Sequence, residues 1–350
     1  MRRLIAVALV AAVAAGLAAC VPEKTPLESY LAGKNYLRGV NLYTLVLQRD
    51  AAPGTTTADP QASYDYLAAR GMSVVRLGVP WQQLQPIAPG QSATDALSKP
   101  VSVDYLDLLE SQVDMADKAG MRVILDLHNG CTYPWGPGAY VSGSVVCGDG
   151  ISPSDVRKIW LAISDRFRDD DRVAAYNLFN EPRARIGVDV YFDYVQVVID
   201  ALRSAGDDHA IWIDSVPGGA PGGFARIAAD GSPLHDPADA LVYSQHFYRQ
   251  NGESRARLLE RVSDFGLWCQ RNAVHCSIGE IGWKASAPSG TADVFTAVYE
   301  LADSFEMDVM YFNASSVPNS GDMAAYFASA GSTAIDSSGP QAKVIEQFLD

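Results

Sequence analysis

Eight short runs rich in Val, Ile, Leu and Tyr recur along the chain, each followed by a loop and a longer segment with helical spacing. They are YLRGVNLY (36–43), SVVRLGV (73–79), RVILDLH (122–128), VAAYNLF (173–179), AIWIDSV (210–216), ALVYSQHFY (240–248), HCSIGEIGW (275–283) and MDVMYFNA (307–314). Continuous apolar character without strict alternation predicts parallel strands buried on both faces. Between them, DYLDLLESQVDMADKAG (104–120) puts Leu106, Leu109, Val113 and Ala116 on one stripe and ends on Gly120, as a helix with a glycine stop does. Segments 153–169 and 188–206 follow the same pattern. Alternation repeated eight times predicts an α/β chain built as a single (β/α)8 TIM barrel over residues 36–350. No linker divides it. The low-complexity stretches 52–60, 215–223 and 313–321 each follow a strand and are expected as loops over the C-terminal mouth. SVPGGAPGG (215–223) lacks the Lys-Ser/Thr of a phosphate-binding loop and the spacing of a dinucleotide fingerprint.

Residues 1–20, MRRLIAVALVAAVAAGLAAC, have the basic start, apolar middle and small-residue end of an export signal. Leu17-Ala18-Ala19-Cys20 resembles the lipobox of bacterial lipoproteins, which implies a lipid-bearing Cys20, a tether over 21–35, and an exported protein anchored to a membrane and facing the periplasm or exterior. A plain secretory signal is the alternative. Acidic residues number 41 against 27 basic, a formal charge of −14, and no Lys/Arg cluster follows Arg2 and Arg3. Nucleic acid and anionic membrane surfaces are therefore not expected partners. Setting Cys20 aside leaves Cys131, Cys147, Cys269 and Cys276, an even number suited to disulfides in an oxidising compartment. Sequence neighbours suggest Cys131 with Cys147 and Cys269 with Cys276, though four cysteines allow three connectivities.

In such a barrel, residues at the C-terminal strand ends converge on one pocket. Those residues are Arg76 on strand two, His128 and Asn129 after strand three, Asn180 and Glu181 after strand four, His246 and Tyr248 on strand six, and Glu280 on strand seven. Two carboxylates from different strands, ringed by hydrogen-bonding groups and without a lysine base, suit glycoside hydrolysis: one serves as proton donor, the other as nucleophile or base. A metal hydrolase would ordinarily bring a His-x-His pair on an early strand, and none is present; no metal or cofactor is expected. His209, His235 and His275 are expected at the surface. Taken alone, His128 and His246 would read as core histidines.

Arg38-Gly39-Val40-Asn41, Asn180-Glu181-Pro182, His246-Phe247-Tyr248 and Gly279-Glu280-Ile281-Gly282 together resemble family 5 glycoside hydrolases, the cellulase and mannanase family with two glutamates at strands four and seven. The resemblance implies a retaining β-glycosidase with Glu181 as acid/base and Glu280 as nucleophile, about 5 Å apart. It further implies Arg76 holding Glu280 ionised, Tyr248 bonding the same carboxylate, Asn180 on the sugar 2-hydroxyl, and His128 and His246 positioning sugar and glutamates. The family's strand-eight tryptophan is absent, leaving Phe312, or Tyr311 if the alignment slips, as the subsite floor. Tyr43, Trp81, Tyr133, Trp135 and Trp283 are further candidate sugar platforms, each with a core-packing alternative. The expected function is an endo-β-glucanase acting as a monomer on a polysaccharide. Exo-glycosidase, mannanase, transglycosylase and a non-catalytic glycan-binding protein remain the alternatives.

Overall fold

The computed structural model describes residues 24–135, 143–215, 223–318 and 320–349. Eight parallel strands, β1 (Arg38–Leu42), β2 (Val74–Val79), β3 (Arg122–Leu127), β4 (Val173–Asn177), β5 (Ala210–Asp214), β6 (Leu241–Phe247), β7 (His275–Ile281) and β8 (Asp308–Ser315), pair in chain order. Pairing of β1 with β8 closes the barrel. The expected (β/α)8 architecture is what the chain forms, and each strand falls within or beside its apolar run.

Helices α2 (Gln61–Ala68), α3 (Val103–Lys118), α4 (Pro153–Phe167), α5 (Val188–Ser204), α6 (Gly223–Ile227), α7 (Arg255–Asn272) and α8 (Thr291–Ser304) alternate with the strands. Local chemistry sets their ends. Ser152 and Asp155 form a capping box with Pro153 in the first turn of α4. Ser102 and Ser254 cap α3 and α7, and Gly120, at φ +78°, turns the chain out of α3. The anticipated stripe Leu106, Leu109, Val113 and Ala116 is buried against the barrel. Among the described residues no helix is long and apolar enough to cross a membrane.

Residues two apart on a strand share a face, so the barrel interior is apolar at its N-terminal end and polar at its C-terminal end. Val74, Ile124, Ala175, Trp212, Val242 and Met310 fill the lower layer. Above them on the same faces stand Arg76, Asp126, Asn177, Asp214, Ser244 and Phe312. The lower end is closed by a six-residue helix, α1 (Pro26–Leu31), which starts with a Thr25/Glu28 capping box. Tyr30 is 1 % exposed, bonds Asp308 at 2.5 Å and receives the Trp212 indole N–H at 3.2 Å. Within the expected tether, the described residues 26–31 form a plug, because Leu27, Tyr30 and Leu31 cover apolar surface at the open barrel end.

Both expected disulfides form, with Cα atoms 5.6 Å apart for Cys131–Cys147 and 6.2 Å for Cys269–Cys276. The first closes a small three-stranded sheet (Thr132–Tyr133, Val145–Cys147, Gly150–Ile151) beside the mouth. Of the anticipated loops, 216–222 lies outside the described residues. Asn313–Ser315 continue β8 rather than starting a loop, and Ala314 and Ser315 pair with Tyr326 and Phe327.

Candidate active site

Arg76 on β2 is 1 % exposed and organises the mouth. Its Nε and Nη2 donate to Asn177 Oδ1 at 2.8 and 2.6 Å, Nη2 to Asn180 Oδ1 at 2.7 Å, and Nη1 to Asn41 Oδ1 at 2.5 Å and Glu280 Oε1 at 3.2 Å. Asp126 and Asp214 stand 3.1 and 3.9 Å from Nη2. One buried guanidinium so anchors five of the eight strands or their ends. A buried cation requires such anionic partners.

Glu280 faces this guanidinium because of an irregularity in β7. Ser277 pairs with Ser244 and Glu280 with His246, so three steps on β7 match two on β6. Cys276 and Ile278 pack outward among the helices. Strict alternation would send Glu280 the same way; the extra residue of the bulge turns it inward. Gly279 makes this possible, since a Cβ there would lie 2.3 Å from Ser244 Oγ.

Glu181 follows β4 with φ +44°, in the left-handed region that a glutamate seldom occupies. Its N–H donates to Asp214 Oδ2 at 2.9 Å. Its side chain is 43 % exposed against 4 % for Glu280. His246 lies between the two: Nδ1 is 2.9 Å from Glu181 Oε1 and 3.4 Å from Glu280 Oε2, and Nε2 is 3.4 Å from Asp214 Oδ2. One ligand atom from each of Glu181, His246 and Glu280 lies within 4.8 Å of the others. Tyr248 donates to Glu280 Oε2 at 2.6 Å. His128 meets Asp126 through Nδ1 at 2.7 Å and Asn180 through Nε2 at 3.3 Å.

Burial pushes the Glu181 carboxyl up, but the hydrogen bond and charge of His246, with His128 and Arg76 behind, more than reverse this and bring it to about 2. Burial pushes His246 down; the Glu280 and Asp214 charges and the bond to Glu181 overcome it and raise the imidazole to about 9. Glu280 is raised, by burial first, with the adjacent Glu181 charge adding to it. The Arg76 contact that was expected to hold Glu280 ionised is present and acts in that direction, but it does not by itself lower the carboxyl in the open site. The guanidinium is shared with Asp126 and Asp214, and burial outweighs its remaining attraction.

The carboxylates form the floor of a pocket of about 250 Å³. Tyr43, Phe312, Tyr248 and Trp135 supply its aromatic wall, with Arg183 and Met323 at the rim. Phe312 shares its face with Met310, whereas Tyr311 packs outward with its hydroxyl on the Trp283 carbonyl at 3.1 Å; the strand-eight position belongs to Phe312. Trp135 is held by Gln82, which accepts its N–H at 3.2 Å and donates to its carbonyl at 2.6 Å.

Other expected site residues lie elsewhere. Trp283 stacks on Phe295 at 4.5 Å in the core, and Trp81 and Tyr133 are fully buried against each other. Asn129 is fully buried and turns back to accept the Cys131 N–H at 3.1 Å, so it shapes the loop and does not line the pocket. Large aromatics beside loops are as useful under them as over them. His209 and His275 are not free surface residues: they bond Asp207 at 2.8 Å and Asp308 at 3.0 Å, while His235 is exposed. Asn41, Asp126, Asn177 and Asp214 were not expected as site residues. Their signal was their parity, each lying on the inward face near its strand's C-terminal end.

The family model described as cellulase (glycosyl hydrolase family 5) matches residues 37–317. The chain is 22 % identical over 230 residues to the manganese dependent endoglucanase Eg5A of Phanerodontia chrysosporium, covering 62 % of this chain and 54 % of that protein. It is 23 % identical over 222 residues to endo-beta-1,4-glucanase B of Aspergillus niger, covering 61 % of this chain and 60 % of that protein. The chain thus spans just over half the length of these curated relatives. Its fold is similar to that of Pseudomonas stutzeri endoglucanase Cel5A, solved in complex with cellobiose, with a TM-score of 0.72 at 20 % identity over 90 % of this chain and 92 % of that one. With that match across most of its length, the chain belongs to glycosyl hydrolase family 5, the cellulase family.

Proposed function

We propose that the protein is a retaining β-glycoside hydrolase, an endo-β-glucanase that cuts a polysaccharide through a covalent glycosyl-enzyme. The observation that carries the reading is the approach of Glu181 and Glu280 oxygens to within 4.8 Å. Carboxyls about 5 Å apart favour direct attack and retention, whereas inverting enzymes hold them about 6.5–9.5 Å apart to admit a water. The relatives named endoglucanase support the substrate class. In this reading Glu280, oriented by Arg76 and Tyr248, attacks the anomeric carbon while Glu181 gives its proton to the departing oxygen. Glu181 then takes a proton from the water that releases the sugar. Asn180, aligned by Arg76 and His128, faces the position of the 2-hydroxyl. Phe312 and Trp135 offer apolar faces to pyranose rings.

The test uses soluble protein beginning after Cys20, wild type beside Glu280→Gln, on β-glucans, mannans and xylan. New reducing ends from wild type alone, with the first-formed product of β configuration by NMR, are the expected result. An α product first, or equal release by the variant, would overturn the reading.

The same proposal places the protein outside the cytoplasm as a monomer, lipid-anchored through Cys20, a residue outside those described. The plug supports an orientation. α1 begins at Pro26 on the end of the barrel opposite the mouth, so a short anchor there holds the barrel floor to the membrane and leaves the pocket facing away. Fatty-acid labelling that persists in Cys20→Ala would remove this part.

A further inference from the structure

We propose that Asp214 is a positioning residue for the acid/base, acting on Glu181 through its backbone N–H and through the far nitrogen of His246. The inference rests on the retaining-hydrolase reading and assigns a part to a residue at the end of β5 that the two-glutamate chemistry does not itself require.

Asp214 is 1 % exposed. Oδ2 accepts the Glu181 N–H at 2.9 Å and stands 3.4 Å from His246 Nε2, while Oδ1 receives Asn177 Nδ2 at 3.3 Å. The first contact holds Glu181 in its left-handed conformation, φ +44°, which persists only where the surroundings over-determine it. An anionic acceptor on that N–H is a strong such constraint.

The second approach is not a hydrogen bond, since Nε2 has no such partner among the described residues, but the Asp214 charge 3.4 Å away favours one tautomer. With an anionic oxygen at Nε2, a neutral imidazole keeps its proton on Nε2 and presents the Nδ1 lone pair to Glu181 Oε1, 2.9 Å away. The bond between those two atoms then contains one proton, either on Nδ1 beside a carboxylate or on Oε1 beside a neutral ring. The groups facing the ring are Glu181, Glu280 and Asp214, with the Arg76 guanidinium the nearby cation, the His128 ring beside it and Tyr248 the nearby hydroxyl. In the open site the proton rests on His246, consistent with the raised imidazole and lowered Glu181. A sugar covering Glu181 removes its water and disfavours the separated charges, so the proton moves to Oε1 and arms the acid. Donation breaks the Glu181 O–H bond and passes the proton to the departing oxygen. A carboxylate then faces the Nδ1 lone pair. That repulsion is relieved when Glu181 takes a proton from the attacking water, whose hydroxyl goes to the anomeric carbon, and the proton count closes.

Asp214→Asn keeps the volume and an oxygen for the Glu181 N–H but removes the charge at Nε2. The experiment compares kcat/KM on phenyl and 2,4-dinitrophenyl β-cellobiosides and follows the His246 titration by NMR. Phenoxide needs a proton to depart; dinitrophenoxide does not. The expected result is a loss of about 10²-fold on the phenyl substrate, a change of no more than a few fold on the dinitrophenyl substrate, and a lower His246 midpoint. Equal losses on both substrates, as from a merely structural defect, would overturn the proposal, as would an unchanged midpoint. If wild type cleaves neither cellobioside nor any polysaccharide, the hydrolase reading is what has failed, and the His246 midpoint alone decides whether Asp214 controls the ring.

Discussion

The Tyr248 hydroxyl donates to Glu280 Oε2 at 2.6 Å while Arg76 reaches the other oxygen of the same carboxylate at 3.2 Å. A hydrogen bond to a charged group contributes about 1.5–3 kcal/mol. Tyr248→Phe should therefore lower kcat about 10–100-fold with a smaller change in KM. Because the lost bond favours the ionised carboxylate, the acidic limb of the kcat/KM profile should move to higher pH. A profile that keeps its limb while the rate falls would show that Tyr248 acts on something other than Glu280.

Trp135 stands at the end of a segment pinned by Cys131–Cys147, a bridge spanning 16 residues. Trp135→Ala should raise KM for oligosaccharides about 10-fold and spare kcat, the scale of one aromatic face. Replacing both cysteines by serine should cost up to about 3 kcal/mol of stability by the chain-entropy account and raise KM in the same sense, since the loop base is then loose. Denaturant melts and steady-state kinetics on both variants check this. A KM unmoved in both would take Trp135 out of the binding surface.

Asp59, buried beside Thr44 and Ser316, is pushed up to about 6 by burial. A carboxyl raised in the folded state contributes its stability fully below the unfolded value, near 4, and loses it as pH rises through about 6. Asp59→Asn, neutral throughout, should gain in unfolding free energy relative to wild type between pH 4 and pH 7.5, by an amount on the order of 2–3 kcal/mol. A difference between the two proteins that does not change with pH would contradict the assignment.

Tyr30 closes the barrel floor, so a protein starting at residue 24 should be as stable as a longer one, whereas one starting at residue 36 should not. Tyr30→Ala alone should cost about 3–5 kcal/mol, the range for large buried aromatics. Activity of the folded fraction should hold, because the plug lies at the end opposite the pocket. Equal denaturation midpoints for the two truncations would return α1 to the status of a tether.

Glu181, His246 and Glu280 could ligate a cation, but Arg76 stands 3.2 Å from Glu280 and the same atoms carry the proposed chemistry. That donor set does not suit a resident metal. Chelation should leave the rate unchanged, and millimolar manganese should inhibit in competition with sugar, unlike the dependence named for the Phanerodontia relative. Loss of activity on dialysis against chelator, restored by manganese, would reverse this view.

Much of the architecture is legible without coordinates because its causes are local. Eight apolar runs long enough to cross a barrel, separated by capped helices, admit few other folds, and the strands lie where those runs lie. Asn180-Glu181 and Glu280 are similarly legible, since polar groups ending buried strands have to converge. What failed were statements about where a ring or an amide points. Trp283 and Asn129 occupy the right loops but turn into the core: Trp283 is drawn in by Phe295 and Tyr311, which come from other elements, and Asn129 by the Cys131 N–H two residues on, a local turn that apolar periodicity does not report.

The amino-acid sequence by itself determined the barrel, the end of it at which the polar strand termini gather, and the presence of Glu181 and Glu280 among them, because periodicity and strand termini follow from short-range residue pattern. Only the tertiary structure decided that Glu280 faces inward. The alternation of β7 predicts the opposite; a bulge at Gly279, set by its register against Ser244 and His246 on β6, turns the carboxylate toward Arg76. Register between strands 30 residues and more apart is a long-range property, and so is the sharing of one guanidinium among Glu280, Asp126 and Asp214. The charge balance of the site is settled there, by which groups are buried together, and no local pattern encodes it.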